Sequence, residues 1–403
     1  MIEKLRKNRH EISLELRSFR NDGYPDFVTS SSPTTLKNHI PVFMFHSINP
    51  KIFKEQLRFL SENGYRTITC DEFYEIIIQQ IAVSEKTVLL TIDDGKSSVW
   101  VYAYPLLKKY GFKATVFLIP GYMKESDKYL LNLEDFWQGR CRLEDLNDRD
   151  ADFFPLLTWE ETTKLHESRV LDFQCHTLYH HKIYTDEKIV DFVNPIQPKN
   201  NFNLILPKDY ENQIQDNDIQ EFYGMPIYEN DSLMAAKPRL LHNVRLTELC
   251  IDHVSEHGGE KFFERTSWRQ ELSDVVENFR KNSNDDLHGF QSPGETKLEI
   301  FENLSKAKEL IQKKLRGKKV THLCHPYGIG SEIAIQESKK TGYVTNFWAV
   351  ISGKPLNQPG NDPFYCSRLK DDYIFRLPGM GRKSLSKILL QKLRRRLGKE
   401  SLY

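Results

Sequence analysis

Two short clusters in this 403-residue chain hold the side chains that a metal-assisted hydrolase uses. Thr91-Ile92-Asp93-Asp94-Gly95 places adjacent carboxylates at the end of the apolar run Val88-Leu89-Leu90. Further on comes His176-Thr177-Leu178-Tyr179-His180-His181. A pair of acids with a pair of histidines supplies ligands for an ion and a base for water. If strand conformation persists through Asp93 and Asp94, their side chains alternate, so one faces an ion and the other faces water. Adjacent acids in isolation are more often a turn or a helix cap; the buried strand expected before them favours a site. His176 and His180 have i,i+4 spacing, which on a helical turn sets both imidazoles on one side. Thr177 stands where a zincin-type peptidase carries Glu, so that class is excluded and the base is expected from Asp93/Asp94. His181 is expected to point away.

These residues need elements to hold them. Strands are predicted over Ile40–Phe45, delivering His46, then over Tyr65–Thr69, Val88–Ile92, Ala114–Ile119, Val170–Cys175 and Val320–Cys324. Helices are predicted over Phe53–Asn63, Asp71–Ile81 with Asp71 as cap, Val101–Tyr110 closed by Gly111, and Trp159–Ser168 opened by Thr158. Two more are predicted over Leu298–Leu315 and Ser331–Lys340. Strand and helix alternating between short glycine-marked loops predict a parallel α/β architecture. The chemical residues His46, Asp93, Asp94, His176, His180 and His325 all follow strands. In a parallel barrel those loops gather at one face, where sites are built.

Residues 1–36 read as an N-terminal extension ending in the linker-like Ser30-Ser31-Ser32-Pro33, and 37–380 as the barrel. Residues 185–295, rich in Asn, Asp and Gln, read as an insertion that is either a lid or recognition element or a peripheral decoration. Residues 381–403 carry a basic helix whose Leu385, Ile388, Leu389, Leu393 and Leu397 share a face. Packing on the barrel is the favoured reading, with weak membrane-surface contact as the other.

Lys and Arg number 57 against 56 Asp and Glu, so no net charge draws the chain to nucleic acid. No apolar run reaches the length of a membrane span. The charged N-terminus lacks the apolar stretch of a secretory signal, and six scattered cysteines form no C-x-x-C pair. Cytoplasmic location with reduced thiols is expected. Cys175 and Cys324 are expected as small buried residues beside the site.

Residues 91–95 resemble the first motif of the polysaccharide deacetylases (carbohydrate esterase family 4, the NodB-homology domain), and His176-Thr177-x-x-His180 resembles the second. His325-Pro326-Tyr327-Gly328 resembles the third weakly. The resemblance implies a distorted barrel of about seven strands, a divalent metal, most often zinc, and removal of acetyl groups from N-acetylated sugars. By residue it implies Asp93 as general base and Asp94, His176 and His180 as metal ligands. A backbone N–H near Tyr327 would stabilise the oxyanion, with Tyr327 and His325 lining the substrate.

Two departures stand out. Cys324 occupies the place of the arginine that usually orients the base, and Arg368 is the candidate substitute. No histidine follows His325, although the family's general acid usually lies late. In a permuted subset resembling the poly-N-acetylglucosamine deacetylases, a histidine after the first strand takes that part, and His46 fits it; His325 is the competing choice. The expected activity is N-deacetylation of a nucleotide-linked, lipid-linked or oligosaccharide sugar. Hydrolysis of a formyl or other amide on a sugar is one alternative, and a non-catalytic carbohydrate-binding protein is another. The sugar and the oligomeric state stay open.

Overall fold

The computed structural model describes residues 19, 23–126, 128–146, 155–180, 182–195, 219–282 and 289–396. Its strands, in chain order, are Val42–Phe45 (β1), Arg66–Ile68 (β2), Thr87–Ile92 (β3), Ala114–Leu118 (β4), Leu171–Cys175 (β5), Lys182–Phe192 (β6) and Pro226–Ser232 (β7). Leu240–Leu241 (β8), Gly289–Phe290 (β9), His322–Cys324 (β10), Thr345–Phe347 (β11) and Leu369–Lys370 (β12) follow. Seven strands form one parallel sheet in the order β11-β10-β5-β4-β3-β1-β12, and β2 pairs with the start of β3.

β3 and β4 are buried at every position, as expected of parallel strands covered on both faces. The sheet curls until its edges nearly meet. Cys366, just before β12, makes a single parallel bridge to Phe347 of β11. One bridge in place of a ladder leaves a partly open half-barrel. Register then fixes the site: Phe45 pairs with Ile92, and Leu118 with Cys175. The residues that follow, His46, Asp93 and His176, therefore leave the sheet at one level. The Asp93 amide donates to Phe45 O at 2.9 Å, and the His176 amide to Leu118 O at 2.8 Å.

Helix boundaries follow local chemistry. Thr158 and Glu161 form the expected capping box of Trp159–Glu167. The helix Cys70–Gln79 is capped by Thr69 and not by Asp71, because Thr69 and Glu72 satisfy each other's amides. Asp71 is left to meet His322 Nε2 at 2.9 Å. Ser292, Pro293 and Glu295 start the long helix Pro293–Lys314 earlier than its apolar periodicity suggests. The helix expected over Val101–Tyr110 opens as a π turn, Val99–Ala103, in which the Tyr104 amide bonds to Val99 O. Pro105 has no N–H to give the Val101 carbonyl, which accounts for the loosened turn.

Within residues 182–290, β6 and β7 form an antiparallel pair, and the helices Val244–Glu256 and Trp268–Asn282 pack beside them. Tyr184, Phe192, Tyr228, Leu246, Leu272 and Val276 belong to a buried cluster distinct from the barrel core. Residues 196–218 and 283–288 lie outside the described residues. Of the N-terminal extension, Tyr24, Phe27, Val28 and Leu36 join the main core. There the Arg376 Nε donates to Val28 O at 2.8 Å.

The C-terminal helix Leu385–Arg396 docks through Ile388 and Lys392, with the Lys392 ammonium 4.7 Å from the Tyr373 ring centre. Leu393 is exposed, so the leucine face read from the sequence is not wholly the packed face. Leu397 lies outside the described residues. Among the described residues no helix is long and apolar enough to cross a membrane.

Candidate active site

β3 ends at Ile92, one residue before the acids. Asp94 and Gly95 then both take left-handed φ values, 70° and 71°. The two carboxylates diverge because the chain turns between them, and not through the alternation of a continuing strand. A side chain at position 95 would be strained in that conformation, and its Cβ would lie 2.6 Å from Leu118 Cδ2, forcing the leucine to shift.

Asp93 points into the barrel. Arg368 Nη1 donates to Asp93 Oδ1 at 2.6 Å, and Nη2 donates to Oδ2 at 2.8 Å. The guanidinium is fixed in turn: its Nε donates to Trp348 O at 2.8 Å and its Nη1 also donates to Thr91 Oγ1 at 3.1 Å. Burial pushes the Asp93 carboxyl up, but Arg368, His176 and His46 outweigh it and hold Asp93 well below the usual carboxylate range. His46 Nε2 lies 3.9 Å from Asp93 Oδ2, and the His46 side chain is 53% exposed. This imidazole thus borders both the carboxylate and solvent.

Asp94 points toward the histidine loop. Its Oδ1 lies 3.7 Å from His176 Nε2 and 3.9 Å from His180 Nε2. The loop is not helical. Thr177 and His180 have left-handed φ values of 66° and 57°, and the His180 amide donates to Thr177 Oγ1 at 3.1 Å. The i,i+4 spacing converges here through a tight turn instead of a helical one. Asn303 holds the same loop by accepting from the Leu178 amide at 2.9 Å.

The side chains fit a divalent cation. His176 Nδ1 meets the Cys324 carbonyl at 2.9 Å; a carbonyl only accepts, so Nδ1 carries the proton and Nε2 presents its lone pair. Burial pushes both imidazoles down, His180 to about 3, so both are neutral at pH 7. Asp94 Oδ1 is buried without a hydrogen-bond partner, a costly state for a carboxylate oxygen unless a cation meets it. Asp94, His176 and His180 each offer an atom within 4.8 Å of the others. A second set, Asp93, His176 and Cys324, meets the same distance test. It is the poorer fit, because Arg368 already engages Asp93 and burial pushes the Cys324 thiol well up.

Tyr327 has a left-handed φ of 60°, and its hydroxyl donates to the His180 carbonyl at 3.4 Å. The residue is 42% exposed, so it can border a substrate. His325 is not at the mouth. It has no exposed surface, its ring packs 4.5 Å from that of Trp348, and burial pushes its pKa down to about 3. The ring thus presents no open surface at the site in this structure.

Sequence reasoning missed Lys96, whose ammonium lies 3.6 Å from Asp94 Oδ2, and Thr91, the hydroxyl between Arg368 and the sheet. Lys96 stands one residue beyond the first motif and could have been weighed. Nothing in the sequence tied Thr91 to Arg368.

A curled parallel α/β sheet with an Asp/His donor set and an arginine-held second aspartate is consistent with a metal-dependent amide hydrolase. A family profile described as polysaccharide deacetylase matches residues 80–216, the stretch holding both motifs. The chain is 42% identical over 88 residues to the polysaccharide deacetylase-type protein YxkH of Bacillus subtilis (strain 168), covering 20% of this chain and 32% of that one. It is 25% identical over 137 residues to the poly-beta-1,6-N-acetyl-D-glucosamine N-deacetylase of Escherichia coli (strain K12), covering 34% of this chain and 18% of that one. The chain therefore spans about a third of the first relative and less of the second. A solved de-N-acetylase from Aggregatibacter actinomycetemcomitans is similar at 15% identity and a TM-score of 0.48, over 82% of this chain and 94% of that one. The sequence matches liken part of this chain, the stretch that carries both motifs, to polysaccharide deacetylases.

Proposed function

We propose that this chain removes an acetyl group from an N-acetylated sugar in a divalent-metal-dependent hydrolysis, with zinc as the ion. The observation that carries the reading is the division of labour between adjacent acids. Asp94 faces two neutral imidazoles, while Asp93 is clamped by Arg368 beside a half-exposed histidine. Asp94, His176 and His180 would hold the divalent ion, which would supply a Lewis acid to favour deprotonation of water and polarise an amide carbonyl.

The chain's own residues do the rest. Asp93, kept ionised by Arg368, takes a proton from the attacking water. Arg368 also fixes which way the carboxylate faces, since the bidentate pair permits little rotation. His46 gives a proton to the leaving nitrogen, and its exposure lets it regain that proton from solvent. Tyr327 borders the sugar. Nucleotide-linked, lipid-linked and oligosaccharide N-acetyl sugars are the substrate classes to survey.

The test is acetate release from N-acetylglucosamine oligomers, a nucleotide-linked N-acetyl sugar and a lipid-linked one. Each is assayed with the zinc-loaded protein, with chelator and with Asp93→Asn. Release that needs metal and Asp93 supports the reading. Release of formate but not acetate, or no release from any loaded sample, overturns it.

A further inference from the structure

The two oxygens of Asp94 have different neighbours. Oδ1 faces His176 and His180, while Oδ2 lies 3.6 Å from Lys96 Nζ. The same ammonium donates to Ser47 Oγ at 3.2 Å, and Ser47 follows His46 on the loop after β1. Lys96 is 19% exposed at its side chain, so this is not a solvent-screened surface pair.

Its backbone is also held. Lys96 makes an antiparallel bridge to Leu156, the Ser97 amide donates to Pro155 O at 2.7 Å, and the Leu157 amide donates to Gly95 O at 2.8 Å. A second bond, from the Ile48 amide to Ser98 Oγ at 3.1 Å, ties the His46 loop to the same stretch.

We propose that Lys96 is a positioning residue that occupies Asp94 Oδ2, presents Oδ1 alone to the ion, and locks the His46 loop to that ligand. A carboxylate free at both oxygens can rock between one-oxygen and two-oxygen coordination; an ammonium against one oxygen removes that freedom. The inference rests on the metal-site reading above and adds a residue lying outside the donor set. It assigns the loop carrying His46 and the loop carrying Asp94 to one electrostatic unit, so the distance from acid to ligand is set by a side chain as well as by the sheet.

The test uses the full chain loaded with cobalt(II), with chelator competition confirming saturation. Wild type, Lys96→Met and Lys96→Arg are compared by visible absorption and by steady-state kinetics. Lys96→Met is expected to change the intensity and position of the cobalt bands and to lower kcat about tenfold or more with KM little changed, in line with partners of metal ligands elsewhere. Lys96→Arg, which keeps the charge, is expected to stay near wild type in both. Circular dichroism and Tm confirm that each variant is folded.

Unchanged bands and kcat in Lys96→Met overturn the assignment while leaving the metal site intact. Lys96→Arg behaving like Lys96→Met overturns the role of the charge. Wild type with no cobalt bands overturns the metal-site reading, and this inference falls with it.

Discussion

Arg368 and Asp93 form a bidentate pair at 2.6 and 2.8 Å in which both side chains are almost fully buried, although 275 positions separate them in the chain. A buried pair stabilises little against an apolar replacement of both partners, but losing one partner strands a charge. Arg368→Met should therefore lower stability by about 3–5 kcal/mol and abolish turnover. Arg368→Lys keeps the charge but loses the two-pronged geometry, so it should recover more stability than activity. Urea unfolding of both variants with parallel acetate assays checks this; wild-type stability in Arg368→Met would show the pair to be dispensable.

Asp93→Asn should cut kcat by roughly 10²–10⁴ while the protein still binds its ion, because Asp93 is outside the favoured donor set. Metal content and rate measured on one preparation separate the two effects. Loss of the ion together with the activity would make Asp93 a ligand.

Asp94→Ala, by contrast, should remove the ion. In wild type, adding zinc should raise Tm, because a ligand that binds only the folded state stabilises it by about 2.7 kcal/mol at a hundredfold excess over Kd. That increment should vanish in Asp94→Ala and with chelator. Scanning calorimetry with and without zinc decides it.

Acid should destabilise the metal-free protein well above the carboxylate range. His39 is buried outside the site, and burial pushes its pKa down to about 4, against a partial lift from its bond to the Asn357 backbone. A depressed folded pKa means the unfolded chain binds more protons between about pH 6.5 and pH 4. The contribution is present above the unfolded value and is lost as pH falls through that window, by up to about 1.4 kcal/mol per pH unit. Burial shifts His180 and His325 the same way. Urea midpoints from pH 7 to pH 4.5 should fall steadily, and His39→Gln should flatten the slope. A midpoint independent of pH down to pH 4.5 would contradict the burial of these rings.

Gly95→Ala should reduce both stability and metal affinity. The φ of 71° penalises a side chain, and the added Cβ would meet Leu118 Cδ2 at 2.6 Å. A loss of about 1–3 kcal/mol in stability is expected from the backbone strain. Zinc competition titration alongside urea unfolding measures both effects.

The parallel α/β class was legible from apolar runs such as Val88–Ile92 and Ala114–Ile119, since strands buried on both faces write themselves as near-continuous hydrophobic stretches. The capping box at Thr158 was legible because it is local, satisfied within four residues. Where a local signal had a rival, the reading slipped: Thr69 and Asp71 both suit a cap, and only the reciprocal bond with Glu72 selects Thr69. The helical turn expected for His176 and His180 failed for a related reason. Spacing constrains which side chains can meet, but left-handed residues at 177 and 180 offer a second way to bring them together.

By itself, the sequence determined which residues stand at strand ends, because hydrophobic runs stop where the sheet meets solvent. That placed His46, Asp93, Asp94 and His176 on one face before any contact was known. Only the tertiary structure decided what each residue faces. The curl of the sheet brings Cys366 to Phe347, and so carries Arg368 to Asp93. It buries His325 against Trp348, and it sets Lys96 on the far oxygen of Asp94. Periodicity reports the surroundings of a residue within its own element. A partner hundreds of positions away is fixed by register and closure, which depend on the whole sheet.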